Sequence, residues 1–251
     1  MTKKLFSPLL LGDNIHIGDK VNFGKNVVLY DNVIIKDEIT IGNNCVIYSD
    51  SLLETGCYIH DGCIIGRVPK SRPKSRNVNK GEIPGSIIQK EVIFGTNSLI
   101  YRGSSIGKNS FIADNVWIRE KVMIENNVVL GTGVQVMNNS TIHSHSRVMN
   151  NSHITEHVII GEYTFIGPNV TTLASNSFGR GSGSYKPDPI IIGRAVRIGG
   201  NATIMPGIKI GEESLIAAGS VVINDVPDEV GVMGNPAKMF KKVKAEEKLN
   251  Y

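Results

Sequence analysis

A large apolar residue recurs every six positions through most of this chain. From Leu11 the steps fall on Ile17, Phe23, Leu29, Ile35, Ile41, Ile47, Leu53, Ile59 and Ile65. The phase lapses after Gly66, resumes at Phe94 and holds to Ile166. A third block steps from Ile192 through Ile198, Ile204, Ile210 and Ile216 to Val222. Chance does not place an apolar residue at nearly thirty such steps. A period of six is neither the ~3.6 of an amphipathic helix nor the ~2 of a half-buried strand. Four residues after each step sits a small or β-branched residue, such as Val27, Val33, Cys45, Ser98, Ser104 or Val116. That residue and the next step are two apart, so both side chains leave a strand on the same side. The three residues that remain must turn a corner. They read Gly18-Asp19-Lys20, Gly24-Lys25-Asn26 or Gly42-Asn43-Asn44, which is turn chemistry.

Composition agrees. The chain of 251 residues holds 33 Ile and 24 Val against 12 Leu, together with 27 Gly and 23 Asn. Many short strands joined by tight turns use these residues. Lys plus Arg is 27 and Asp plus Glu is 23, a formal net charge of +4. That is too weak a basic excess to suggest a nucleic-acid binder. No apolar run is long enough for a membrane-spanning helix. The opening MTKKLFSPLL is too short an apolar stretch for a signal peptide. Cys45, Cys57 and Cys63 form no C-x-x-C pattern, so a reducing, cytoplasmic setting is expected.

The repeat resembles the hexapeptide signature of the left-handed parallel β-helix acyltransferases, over about residues 11–235. The resemblance implies an all-β solenoid, a left-handed triangular prism in which three hexads make one coil. Residues 1–235 would form the prism, with loops inserted at about 67–91 and 172–191. Residues 236–251 would form a short C-terminal α-helix, with Asn235 as its cap and Pro236 at its first position. Met239, Phe240 and Val243 would be the apolar stripe of that helix. Cys45 and Cys63, one coil apart, would be stacked buried thiols.

The family forms trimers. Outward mid-strand residues are often apolar here, as in Phe111, Val129, Phe165, Trp117, Met123 and Ile159, and such columns would be buried in a homotrimer.

Three segments bear on function. The first insertion carries Arg67, Lys70, Arg72, Lys74, Arg76, Lys80 and Lys90, enough to clamp a diphosphate or simply to form a solvated loop. The second contains Asn176 and Arg180 and would cover an acceptor cleft or a pantetheine arm. The block from Ile192 through Gly234-Asn235-Pro236-Ala237-Lys238 resembles the coenzyme A end of hexapeptide acetyltransferases. The resemblance implies that Gly199, Gly200, Ala217 and Ala218 leave corners bare for pantetheine. Lys238, Lys242 and Arg180 would serve the coenzyme's phosphates, although the C-terminal segment could equally be an end cap for the prism.

The stretch 101–125 resembles nucleotide-sugar N-acyltransferases of this fold. The resemblance implies catalytic roles for Asp114 and Glu120, with Tyr101, Arg102, Ser104, Arg119, Asn138 and Asn176 binding substrate. Arg102, Glu120, Asn138 and Glu156 share one position of the repeat. A carboxylate there could relieve an ammonium of a proton. Asp114 reads equally well as a corner residue in an Asx-type turn. His143 and His145 flank another corner and are alternative bases. The histidines at 143, 145, 153 and 157 lack the spacing of the zinc site in γ-class carbonic anhydrases, which share the fold, so no metal is expected.

The expected protein is therefore a cytoplasmic, trimeric acyltransferase that uses acetyl-CoA or another acyl-CoA to N-acylate an amino group on a nucleotide-linked sugar. The alternatives are an O-acetyltransferase on a small hydroxyl acceptor and a β-helix scaffold without activity.

Overall fold

The structure is a computed structural model that describes residues 9–70, 82–176 and 188–249. The chain divides into two compact units, Met1–Asn127 and Val128–Tyr251. Each is a left-handed parallel β-helix of very short strands in three faces. In the N-terminal unit the first face stacks Leu10–Leu11, Val28–Leu29, Val46–Ile47, Ile64–Arg67, Leu99–Tyr101 and Trp117–Ile118, all parallel. In the C-terminal unit the corresponding face includes Gln135–Val136, His153–Ile154, Thr171–Thr172, Thr203–Ile204 and Val221–Val222.

The inward pairs supply the core. Val27, Leu29, Val33, Ile35, Ile39 and Ile41 are buried, as are most of their counterparts in later coils, whereas in the first coil Leu11 is exposed and Ile17 and Phe23 are half-buried. Several inward positions are polar, and many of these hydroxyls are used twice, whereas the buried Ser51 Oγ has no hydrogen-bond partner among the described residues. Ser98 Oγ donates to the Ala113 carbonyl at 2.8 Å and accepts the Val116 N–H at 3.2 Å. Ser152 does the same with Gly167 and Val170. A buried hydroxyl with both partners avoids the desolvation loss that an orphan would incur. The three thiols are likewise inside, with Cys45 Sγ donating to the His60 carbonyl and Cys63 Sγ to that of Gly95. Burial pushes the Cys57 thiol up to about 11, so it stays protonated.

The corners explain the asparagines and glycines. The last corner residue sits in the left-handed region, as at Asn14, Asn26, Asn32 and Asn44, with φ of 54–59°. Asn tolerates that conformation, and its amide bridges coils: Asn32 Nδ2 donates to Asp50 Oδ1 at 3.0 Å. The middle corner residue locks the coil before it. Asp61 Oδ1 accepts the Asn43 N–H at 2.7 Å. The first corner residue is often Gly because the next coil leaves no room. A Cβ on Gly42 would lie 2.7 Å from the Asp61 backbone nitrogen.

Two features depart from the sequence expectation. A strand, Ile87–Ile88, lies inside the stretch assigned to the first insertion and pairs with Leu52–Leu53 and Ser105–Ile106. Its phase matches Phe94, so the repeat restarts one step earlier. The second correction concerns the C-terminus. Lys238–Lys242 is a strand, antiparallel to Val230–Met233, and among the described residues the only helical element there is the short 3-10 turn Ala245–Glu247. Val230–Met233 would otherwise end its sheet with unpaired backbone groups. Satisfying that edge outweighs the local helix signals at Asn235 and Pro236. Met239 and Phe240 are consequently exposed while Val243 is buried, so they form no common stripe.

Both insertions leave from the end of a first-face strand, the first after Ile64–Arg67 and the second after Thr171–Thr172. Arg72, Lys74, Arg76, Lys80 and Arg180 lie outside the described residues.

Candidate active site

In the N-terminal unit the corner after the first face gathers Tyr101, Arg102, Arg119 and Glu120. The Glu120 carboxylate is buried and bidentate with Arg119: Nε donates to Oε2 at 2.8 Å and Nη2 to Oε1 at 3.1 Å. The Arg119 guanidinium lies 4.9 Å from the Tyr101 ring centroid and 5.8 Å from that of Trp117. Planar guanidinium suits both contacts at once. Glu120 is thus committed to a neighbour in the same chain, which corrects the expectation of a free proton acceptor there. Arg102 is also engaged. Its Nε donates to the Ile83 carbonyl at 2.7 Å, Nη1 to that of Ser49 at 3.3 Å, and Nη2 to Asp50 Oδ2 at 2.7 Å. It joins the far end of the first insertion to an earlier corner. Arg102 holds the Asp50 carboxyl below its ordinary value, with Asn32 assisting. Asp50 and Arg102 also line a cavity of about 950 Å³, together with Leu52, Ile87 and Glu82.

Ser104 was expected to bind substrate, but it is buried inside the helix. Its hydroxyl donates to the Arg119 carbonyl and accepts the Val122 N–H, so it is a core residue. Asp114 occupies a different corner, the one after the third face. Its Oδ1 accepts the Thr96 N–H at 2.7 Å, the same lock that Asp61 makes. Its geometry is therefore that of the recurring corner residue.

In the C-terminal unit His143 and His145 lie on the corner after the second face. His145 is exposed and left-handed, with φ of 64°. Its ring stacks on Tyr163 at 4.6 Å, and Arg194 covers the Tyr163 ring at 5.5 Å. His143 is half-buried beside it. Asn138 is half-buried on the corner after the first face, and Asn176 is exposed past that corner, at the start of the second insertion. The structure therefore distributes the expected catalytic residues over three different corners.

The glycines expected to accommodate a coenzyme have a packing reason instead. A Cβ on Gly199 would lie 2.4 Å from the Ala218 backbone nitrogen, and one on Gly200 would lie 3.0 Å from the Pro168 carbonyl oxygen. Gly219 differs: a Cβ there would meet nothing within 4 Å, and the adjacent Ala218 is exposed while Ala217 is half-buried. Lys238 and Lys242 are exposed on the last strand.

Sequence reasoning missed one side chain. His153 is the outward residue of the strand His153–Ile154, flanked across the ladder by Gln135 and Thr171. Its Nδ1 lies 3.2 Å from Gln135 Oε1. An amide oxygen accepts, so Nδ1 carries the proton and Nε2 presents its lone pair. No partner for Nε2 is present among the described residues. Burial lowers the pKa of His153, which keeps the ring neutral. A half-buried, neutral imidazole with one nitrogen fixed and the other open is the arrangement a general base requires. The available signal was a His between Gln and Thr at a position where other strands present apolar residues.

Residues 139–174 and 189–224 match the model of the bacterial transferase hexapeptide (six repeats), and residues 14–49 match the hexapeptide repeat of succinyl-transferase. These segments carry hexapeptide repeats. The chain is 42% identical over 90 residues to a provisionally named acetyltransferase of Saccharomyces cerevisiae, covering 34% of this chain and 46% of that one. It is 39% identical over 93 residues to another of that kind, YvoF of Bacillus subtilis, covering 37% and 52%. It is 53% identical over 60 residues to the 2,3,4,5-tetrahydropyridine-2,6-dicarboxylate N-acetyltransferase of Clostridium perfringens, covering 24% and 25%. The matched part is about half the length of the first two relatives and a quarter of the third.

Proposed function

We propose that this hexapeptide-repeat protein is a CoA-dependent acyltransferase that N-acylates the amino group of a nucleotide-linked sugar. The observation that carries this reading is His153, an imidazole kept neutral by burial and oriented by Gln135. Attack on a thioester needs an amine lone pair, and the nitrogen must shed a proton as its bond to carbon forms. His153 Nε2 accepts that proton and returns it to the departing sulfur. The names of the relatives, one of them an N-acetyltransferase, support acyl transfer.

Acetyl-CoA or another acyl-CoA is the donor. The open corner at Ala218 and Gly219 leaves backbone accessible to a thin amide-bearing arm. Lys238 and Lys242 have no acidic partner among the described residues and are available to phosphates. Asn138 and Asn176, in the same unit as His153, remain candidates for contacts to the acceptor. The protein works in the cytoplasm as a homotrimer, which would cover the exposed Phe111, Met123, Ile159 and Phe165. A monomer mass in light scattering would contradict that assembly.

Acetyl-CoA at 100 times its Kd should stabilise the fold by ~2.7 kcal/mol, read as a rise of several degrees in Tm. Lys238→Glu with Lys242→Glu should shrink the rise at fixed ligand concentration. No rise with the unmodified protein would contradict donor binding.

A further inference from the structure

Each early coil of the N-terminal unit is locked by the coil that follows it. Among the middle corner residues of the first coil, the Asp13 N–H donates to Asp31 Oδ1 at 2.9 Å, that of Asp19 to Asp37 Oδ1 at 2.7 Å and that of Lys25 to Asn43 Oδ1 at 2.7 Å. The side chains of Asp13, Asp19 and Lys25 have no earlier coil to lock among the described residues. All three are exposed, and none has a side-chain hydrogen bond or ion pair there. The strands of this coil, Leu10–Leu11, His16–Ile17 and Asn22–Phe23, each end a sheet. Leu10 and Gly12 donate their N–H groups to the next coil, as do His16 and Gly18, and Asn22 and Gly24. Strand alternation therefore turns the N–H and C=O of Leu11, Ile17 and Phe23 away from it. The core is open at the same end. Leu11 is 53% exposed, whereas Leu29, one coil on, is 1% exposed. In the C-terminal unit the last inward residues, Ile216 and Val222, stay buried, and Val230–Met233 is covered by Lys238–Lys242.

Unpaired strand edges around exposed apolar residues are a template for another chain. The charges on the three corners say which chain. A two-fold axis through corner 18–20, perpendicular to the direction in which coils stack, brings two such ends face to face and exchanges the other two corners. Asp13 of each copy then meets the partner subunit's Lys25, and the contact occurs twice. Corner 18–20 meets itself and carries both signs, Asp19 beside Lys20. An axis through corner 24–26 opposes Asp13 to Asp19 and Lys25 to itself, and one through corner 12–14 opposes Asp13 to itself, so both set like charges together. The favoured axis also makes every strand pair antiparallel: Leu10–Leu11 runs against its own copy, and His16–Ile17 against the partner subunit's Asn22–Phe23. A residue with one free N–H and one free C=O is self-complementary in such a pair.

We infer that the first coil is a docking surface for a second copy of this chain, which meets it end to end through Leu11, Ile17 and Phe23, with Asp13 and Lys25 setting the orientation. The outward residues of the three faces take no part in this contact. Whatever assembly the faces form, end-to-end pairing doubles its mass.

Light scattering on the whole chain reads the mass of the unmodified protein, of Leu11→Asp, of Asp13→Lys, of Lys25→Asp and of the double swap. Leu11→Asp and each single swap should halve the mass, and the double swap should restore it, because the two charges have only changed places. The Asp13 and Lys25 side chains have no partner within the chain among the described residues, so the single swaps should keep the circular dichroism spectrum of the unmodified protein. A mass that no substitution changes overturns the docking and leaves the end to be covered by residues 1–8 of the same chain. A mass halved by both single swaps and not restored by the double swap overturns the pairing of Asp13 with Lys25 and the axis that rests on it.

Discussion

His153→Asn is expected to lower kcat for acyl transfer by about 10²–10⁴, the usual consequence of losing a general base, with little change in Tm. Asn keeps a polar group near Gln135 but has no ring nitrogen to accept the proton. The pH profile follows from the direction of the shift. Burial lowers the His153 pKa, so the neutral form persists to lower pH than in a solvated histidine. The acid limb of kcat/KM should therefore fall below the ordinary histidine value of about 6.5. The same shift acts on stability. The unfolded chain binds the proton first, so this residue's contribution is complete above about 6.5 and declines as pH falls towards the folded pKa. An undiminished kcat in His153→Asn, with His143→Asn or Asp114→Asn inactive, would move the base to another corner.

Glu120→Gln should act on the fold rather than on the chemistry. The variant leaves the Arg119 guanidinium, which is 28% exposed, stacked on Tyr101 without its bidentate partner. Removing one member of a buried pair costs about 3–5 kcal/mol, and partial exposure of the arginine places this case at or below the lower end. Chemical denaturation should show a lower midpoint at unchanged slope. The kcat of the remaining folded enzyme should stay within a few-fold of the unmodified protein. A large loss of kcat with no loss of stability would return Glu120 to a catalytic role.

The contrast between these residues shows what the sequence could carry. The period of six is imposed by coil geometry at every turn, so Leu29, Ile35 and Ile41 report the fold directly. The corner chemistry was also legible, because left-handed backbone selects Asn and close coil contact selects Gly. The last strand was not legible. Its formation depends on the unpaired edge of Val230–Met233, which is a tertiary need rather than a local propensity. Site chemistry was less legible for a related reason. Arg119 and Glu120 are adjacent in sequence, but only the structure shows that they consume each other. Asp114 resembles a catalytic acid until the lock on the Thr96 N–H is seen at other corners too. His153 sits at an outward mid-strand position of the kind that elsewhere marks an interface, and its pairing with Gln135 required the coil register.

The central claim is transfer of an acyl group from CoA to an amine, with His153 as the base. It is tested most directly by incubating the protein with acetyl-CoA and a panel of nucleotide-linked amino sugars, following free thiol and acylated product together by mass spectrometry. At least one amino sugar should be converted to a hydroxylamine-resistant amide in step with thiol release, and His153→Asn should abolish both. Thiol release matched only to an alkali-labile ester, or no product from any acceptor, would contradict it.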